Sequence, residues 1–253
     1  MRDGITLNLF PNSRPSAICI RRCGWRSTQS WLRRLMAMCS RHNSLAVTSS
    51  SRIFIRRLDE LFPGQFFHIG EDETFELGEG QSKAEAQAKG VGAVYFEHLN
   101  RVRDLLKPYN QRLMFWGDIA LHHPDLIANV PKDVIAMNWQ YAALDDYSAS
   151  INPFKNAGLD QFVCPGAHTW NQTFPNLDAA SKNIINFVRD GQKAGAIGMM
   201  NTTWDDDGES LFEMAWHPIV LGAAASWQEA RSTFNSSTSI SIGLSFATTA
   251  INL

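Results

Sequence analysis

The sequence predicts an α/β protein built on parallel strands, and three observations lead there. Five short apolar runs, beginning at Phe66, Arg112, Val134, Phe162 and Ala196, alternate with helical patterns at intervals of roughly 20–45 residues, the rhythm of strands joined by helical crossovers. Each run leads into Trp, an acid, or both. The length of 253 residues with 44% hydrophobic content suits one α/β barrel, whose usual size is about 250 residues, or two small domains.

Taken in order, the chain opens on a segment unlike the rest. Residues 1–57 carry eleven Arg, no Lys and one acid, Asp3, whereas the remainder carries twelve bases against twenty-four acids, so the net charge of −2 hides two compositions. Cys19, Cys23 and Cys39 fall here with nine Ser, no strand alternation is sustained, and only Trp31 to Met38 looks helical. An organelle transit peptide, a basic nucleic-acid arm and an out-of-frame or wrongly started translation are the open readings. No basic motif with interleaved aromatics supports the second. The segment is read as foreign to the remainder, disordered or mistranslated. The Cys19–Cys23 spacing has no second ligand pair, so no zinc site is expected.

From Phe54 the pattern becomes regular. Arg56 to Gly64 reads as a helix end stopped by Pro63 and Gly64, feeding the strand at Phe66. Lys83 to Leu106 reads as one amphipathic helix, with Tyr95, Leu99, Val102 and Leu106 on a single stripe, ended by Pro108. Strands follow at Arg112 to Asp118 and Val134 to Tyr141, with a helical piece at Pro124 to Ala128 between them. A helix over Asp145 to Ala157 leads to a strand at Phe162 to Gly166 and on to His168, Trp170 and Asn171. Asp178 to Ala194 is a helix with Ile184, Phe187 and Val188 inward, and Ala196 to Trp204 is the fifth strand. Glu209 to Trp227 closes the series as an apolar helix, in which Trp216 and Trp227 are expected to be buried. Residues 58–228 form the predicted domain. In the tail, residues 229–253, ten of the twenty-three residues from Arg231 onward are Ser or Thr. Ser239 to Phe246 has a strand pattern there that is not expected to pack as a barrel element.

The stretch that carries chemistry is FFHIGEDETFELG, Phe66 to Gly78. Its apolar start reads as a strand buried on both faces, and at Gly70 it breaks into Glu71, Asp72 and Glu73. Carboxylates at the C-terminal end of such a strand stand where α/β barrels and open sheets keep their active sites. A merely solvated acidic loop fits less well, because only His68 and Gly70 separate the acids from the apolar residues.

His68-Ile69-Gly70-Glu71-Asp72-Glu73 resembles the His-x-Gly-x-Asp-Glu signature of the family 20 glycoside hydrolases, the β-N-acetylhexosaminidases, and Leu77 to Gly80 (LGEG) resembles the branch related to hexosaminidase D. Many members carry Gly where this chain has Glu71. The resemblance implies a (β/α)8 TIM barrel with strands four to eight present and strands one to three missing or corrupted. It also implies removal of β-linked N-acetylhexosamine (GlcNAc or GalNAc) by substrate-assisted, retaining hydrolysis. Two adjacent carboxylates suit that chemistry, since they work on one side of the reacting centre. By the same resemblance Glu73 is the general acid/base, and Asp72 orients the acetamido N–H and supports the oxazolinium charge. For Glu73 to hold its proton, burial or neighbouring carboxylates are expected around it.

The remaining implied substrate-binding residues are His68, which braces the motif; Trp116, Trp139, Trp170 and Trp204, which wall the sugar; Asp118; Tyr141, which meets the acetamido carbonyl; and Asp206 or Glu209, which take outer hydroxyls. As strand-end loops of a barrel, these groups are expected to converge on one pocket. The implied partners are N-acetylhexosamine-terminated glycans or glycosides, with no cofactor, metal, nucleic acid or membrane. No apolar run approaches the roughly 20 residues of a membrane span.

Two alternatives stand beside this reading. One is a carbohydrate-binding barrel fragment without activity. The other is a metal-dependent hydrolase using His68, Glu71, Asp72 and the Asp205–Asp207 run with His122 or His123, which the lack of an HxH or HExxH pair disfavours. Three further β–α units would need on the order of 90 residues, and only 65 precede Phe66. Nor does any Arg before position 58 match the sugar-holding Arg of the family's first strand. The chain alone is therefore expected to show poor solubility and at most trace activity.

Overall fold

The computed structural model describes residues 4–9, 19–21, 45–62, 64–206 and 208–228. The Trp31 to Met38 patch, Asp207 and the Ser239 to Phe246 pattern lie outside the described residues. The chain divides into two compact units. The one built on Cys23–Asn138 and Pro153–Gln161 is termed here the carboxylate unit. The other, built on Met1–Arg22, Trp139–Asn152 and Phe162–Leu253, is termed the aromatic unit.

In the carboxylate unit, helix α1 (Leu45–Leu61) leads to strand β3 (Phe66–His68), as the sequence predicted. Strand β3 pairs in parallel with β4 (Arg112–Trp116), which pairs in parallel with β5 (Ile135–Trp139). All three therefore end on the same side. Strand β3 is only partly buried, not covered on both faces as its apolar run suggested, because among the described residues of this unit β4 is its one partner. The ladder continues past its last residue, with Ile69 N–H donating to Met114 O at 2.9 Å and Trp116 N–H to Gly70 O at 2.8 Å, so β4 carries the chain into the acidic loop.

The single predicted helix over Lys83 to Leu106 is two, α2 (Lys83–Lys89) and α3 (Val91–Leu106), broken at Gly90. Its stripe is nonetheless the buried one. Tyr95, Leu99 and Leu106 pack with Leu113, Phe115 and Ala136 of β4 and β5, and Val102 lies at the edge of that cluster. Each fully buried side chain of this size stabilises by about 1.5–3 kcal/mol. Helices α4 (Asp118–His122) and α5 (Pro124–Ile127) follow β4 directly.

The aromatic unit holds most of β6 (Asp160–Cys164), which pairs in parallel with β7 (Gly198–Asn201). Helix α6 (Ser148–Asn156) lies between β5 and β6 in the chain. Helix α7 (Leu177–Ala194), capped by the Asn176 side chain accepting from Ala179 N–H, buries Ile184, Phe187 and Val188 as predicted. They pack with Tyr147, Met199 and Leu221, the last from α8 (Trp216–Trp227).

Two expectations are corrected in this unit. Trp216 and Trp227 are 55% and 67% exposed, because α8 turns Leu221 and Ala225 to the core instead. The first 57 residues are not without strands: β1 (Gly4–Leu9) pairs antiparallel with β7 and with β2 (Cys19–Arg21). Ile5, Leu7 and Leu9 do alternate with Thr6 and Asn8, a period-two signal too short to stand out within an Arg-rich segment. The five β–α units otherwise come in the predicted order. Among the described residues no helix is long and apolar enough to cross a membrane.

Candidate active site

The acidic loop of the carboxylate unit is set by its backbone. Gly70, Glu71 and Glu73 all have positive φ, at 84°, 76° and 49°. At non-glycine residues this left-handed conformation costs on the order of 1–3 kcal/mol, and it persists only where surrounding contacts hold it. Two contacts bracket Asp72. Before it, Tyr95 Oη donates to Glu71 O at 3.2 Å and lies 3.4 Å from Trp116 O. After it, Glu73 N–H donates to Asp118 Oδ2 at 3.0 Å. Beyond the acids, Gly78 at φ 95° donates its N–H to Ser82 Oγ, and a Cβ there would sit 2.9 Å from Val91 Cγ2. The LGEG signature thus turns the chain tightly into α2.

Glu71 is 4% exposed and its Oε1 lies 3.1 Å from His98 Nε2 on α3. Burial works to lower the His98 pKa, but the Glu71 charge and hydrogen bond more than offset it, leaving the imidazole raised above its ordinary value. Burial lifts the Tyr95 phenol well above its normal range, with the carboxylates of Glu71, Asp118 and Asp72 adding to the shift. It therefore remains a neutral donor. Burial pushes His68 down to about 4, so it is neutral near pH 7. Its Nδ1 accepts from Gly70 N–H at 3.0 Å, and its ring meets Trp116 edge-on at 4.6 Å. His68 thus braces the loop.

Trp116 is only 6% exposed and packs against His68 in the interior; within this unit it supports the motif. Glu73, expected in a buried setting, is exposed. Asp118 holds the Glu73 backbone. Among the described residues no group of three His, Cys, Asp or Glu side chains is arranged to hold a metal ion, and His123 packs instead over Gly92 of α3.

The aromatic unit brings together four rings that the sequence singled out. Trp139 stacks on Tyr141 with centroids 5.0 Å apart, Tyr141 meets Trp170 at 4.8 Å, and Trp204 Nε1–H donates to Tyr141 Oη at 2.7 Å. His168, at φ 54°, joins them against Trp170 at 5.0 Å. Burial lowers its pKa and the Tyr141 carbonyl partly opposes this.

The cluster can be this tight because residue 166 is glycine: a Cβ there would lie 2.7 Å from Trp170 Cη2 and 2.9 Å from Tyr141 Cδ1. Asn183 of α7 ties the surrounding loops. Its Oδ1 accepts from Gly166 N–H at 2.9 Å, and its Nδ2 donates to Gln140 O and Tyr147 Oη, both at 2.8 Å. Asp206 and Glu209 lie exposed on the loop after β7.

His98, Tyr95, Asn183, His168 and Gly166 lie outside the set of site residues that the sequence implies. The signals were present for two of them. Asn183 is a polar residue on the inward stripe of Ile184 and Phe187. His98 stands one turn from Tyr95 on the buried side of α3.

In one unit a carboxylate pair follows a parallel strand, and in the other a cluster of rings follows strand ends. Residues 23–240 match the catalytic domain of glycosyl hydrolase family 20, and the chain belongs to that family. No curated protein sequence matches it. Among solved structures it is similar to a β-N-acetylhexosaminidase from Bacteroides fragilis, with a TM-score of 0.57 and 16% identity over 80% of this chain and 43% of that one. It is also similar to a chitobiase from Flavobacterium johnsoniae, with a TM-score of 0.53 and 17% identity over 74% of this chain and 30% of that one. At these identities the likeness is one of fold. The chain spans less than half the length of either structure.

Proposed function

We propose that the site removes terminal β-linked N-acetylhexosamine by substrate-assisted hydrolysis with retention. The observation that carries this reading is the adjacent Asp72–Glu73 pair on a loop fixed at both ends, by Tyr95 before it and by Asp118 after it. Glu73 donates its proton to the glycosidic oxygen as the acetamido carbonyl oxygen attacks C1. The bond from C1 to the leaving oxygen breaks and a C1–O bond to the acetamido group forms, giving an oxazolinium. Asp72 accepts the acetamido N–H and balances the positive charge. Water then adds to C1 and gives its proton to Glu73, which opens the ring and restores the starting configuration.

In the aromatic unit, the rings suit the apolar face of a pyranose. Tyr141, whose hydroxyl oxygen accepts from Trp204 Nε1–H, is assigned to the acetamido carbonyl. Either Asp206 or Glu209 is assigned the outer hydroxyls.

The test is release of nitrophenol from nitrophenyl N-acetylglucosaminide, with and without chelator, by the chain and by E73Q and D72N. Even trace turnover suffices to rank them. The expected result is turnover indifferent to chelator and lowered at least about 10²-fold in E73Q, with D72N impaired specifically on substrates bearing the 2-acetamido group. Turnover lost on chelation indicates a metal hydrolase, and sugar binding without turnover indicates a binding module. Unchanged rates in both variants remove the assignment.

A further inference from the structure

Glu71 is an unlikely residue for its position on two counts. Its backbone is left-handed, which glycine adopts freely and a side chain does not. Its carboxylate is also buried, which costs free energy unless a partner offsets the lost hydration. A glycine at 71 would face neither cost, so a glutamate makes physical sense there only if its side chain does something.

That something is the contact to His98. Tyr95 and His98 stand one turn apart on α3 and reach the same residue, one at its backbone carbonyl and the other at its carboxylate. Helix α3 is itself anchored in the unit's core through Leu99 and Leu106. Its hold on Glu71 therefore passes directly to Asp72, the next residue, and on to Glu73, whose backbone Asp118 fixes from the far side.

We propose that Glu71 and His98 act as a positioning pair that sets the orientation of Asp72 and Glu73. The inference rests on the reading of Asp72 and Glu73 as the catalytic pair. The contact is at full strength when the imidazole is protonated and the carboxylate ionised. Around it, Arg101 on the same helix opposes the His98 charge, while Asp72 and Asp118 join Glu71 as the carboxylates acting on Tyr95 from the loop and from α4. As pH rises through the His98 titration, the loop loses its charged anchor while Tyr95 keeps its neutral hydrogen bond.

The experiment is calorimetric binding of a thiazoline mimic of the cyclised intermediate, compared with binding of glucose, which has no 2-acetamido group, for the 253-residue chain, E71G, H98A, H98Q and the E71G/H98A double variant. E71G relieves the backbone, so it folds; its thermal midpoint checks this. The thiazoline reports how Asp72 is aimed, whereas the plain sugar reports the rest of the site. The expected result is thiazoline affinity about tenfold weaker in E71G and H98A, less than the roughly 10²-fold that a 1 Å misplacement can cost. The double variant should be no worse than either single one, and sugar affinity should be unchanged. In H98Q the side-chain N–H can still donate to Glu71, so affinity is partly rescued and no longer falls as pH rises. E71G and H98A binding thiazoline like the unaltered chain, or thiazoline and sugar falling together, would overturn the pairing. An unaltered chain that binds sugar but not thiazoline would instead overturn the catalytic reading beneath it.

Discussion

The carboxylate loop and the aromatic cluster stand beyond the ends of parallel strands, yet they are held in opposite ways. The loop is charged, partly in left-handed backbone, and held by Tyr95 and His98 of α3 and by Asp118 of α4. The cluster is nearly neutral, close-packed ring on ring, and tied by one buried asparagine with bonds in several directions. Groups that move protons gain from a setting where small backbone changes re-aim a carboxylate. Rings that receive a sugar face gain from a surface that does not yield. The cost of disturbance should differ accordingly: the loop should lose chemistry before stability, and the cluster should lose both together.

The largest expected effect comes from one methyl group. In Gly166→Ala the new Cβ would fall within 2.7 Å of Trp170 and 2.9 Å of Tyr141, so the rings must part. Overpacking of this kind costs about 1–3 kcal/mol, and denaturant unfolding should register it together with a loss of N-acetylglucosamine affinity. The same loss with sugar affinity intact would show that the rings are core and not platform.

A smaller effect is expected from pH. His68 has its folded pKa depressed, so its contribution is present above the unfolded value of about 6.5 and is lost as pH falls toward about 4. Over that window it amounts to up to about 3 kcal/mol. His168 in the aromatic unit is lowered too and acts in the same direction. His98 is raised, so its contribution is present below about 6.5 and is lost as pH rises through its folded value. Urea unfolding across this range should show stability falling on the acid side, less steeply in H68Q, and an alkaline decline that disappears in H98Q. A profile flat over both limbs in the unaltered chain would remove the assigned environments.

How much of this was legible in the sequence depends on the kind of signal. Strand ends were readable, because apolar runs stop sharply at Gly70, Asp118 and Trp139. The rings at 139, 141, 170 and 204 could be grouped by their place after those ends. The burial of single residues was not readable. Trp116 went inside and Trp216 and Trp227 went out, since a tryptophan has no preference strong enough to override its neighbours' packing. Backbone sign was hidden as well: nothing in the letters of Glu71 or Glu73 announces a positive φ. The acid at position 71 could be seen, but its partner His98 lies twenty-seven residues on, and only the fold of α3 over the loop joins them.

In the proposed reaction the substrate's own acetamido group closes on C1 while Asp72 steadies it. The most direct measurement is competition between a thiazoline mimic of the cyclised intermediate and nitrophenyl N-acetylglucosaminide. Competitive inhibition is expected, with the thiazoline bound more tightly than N-acetylglucosamine. Turnover of the glycoside undisturbed by the thiazoline would contradict it.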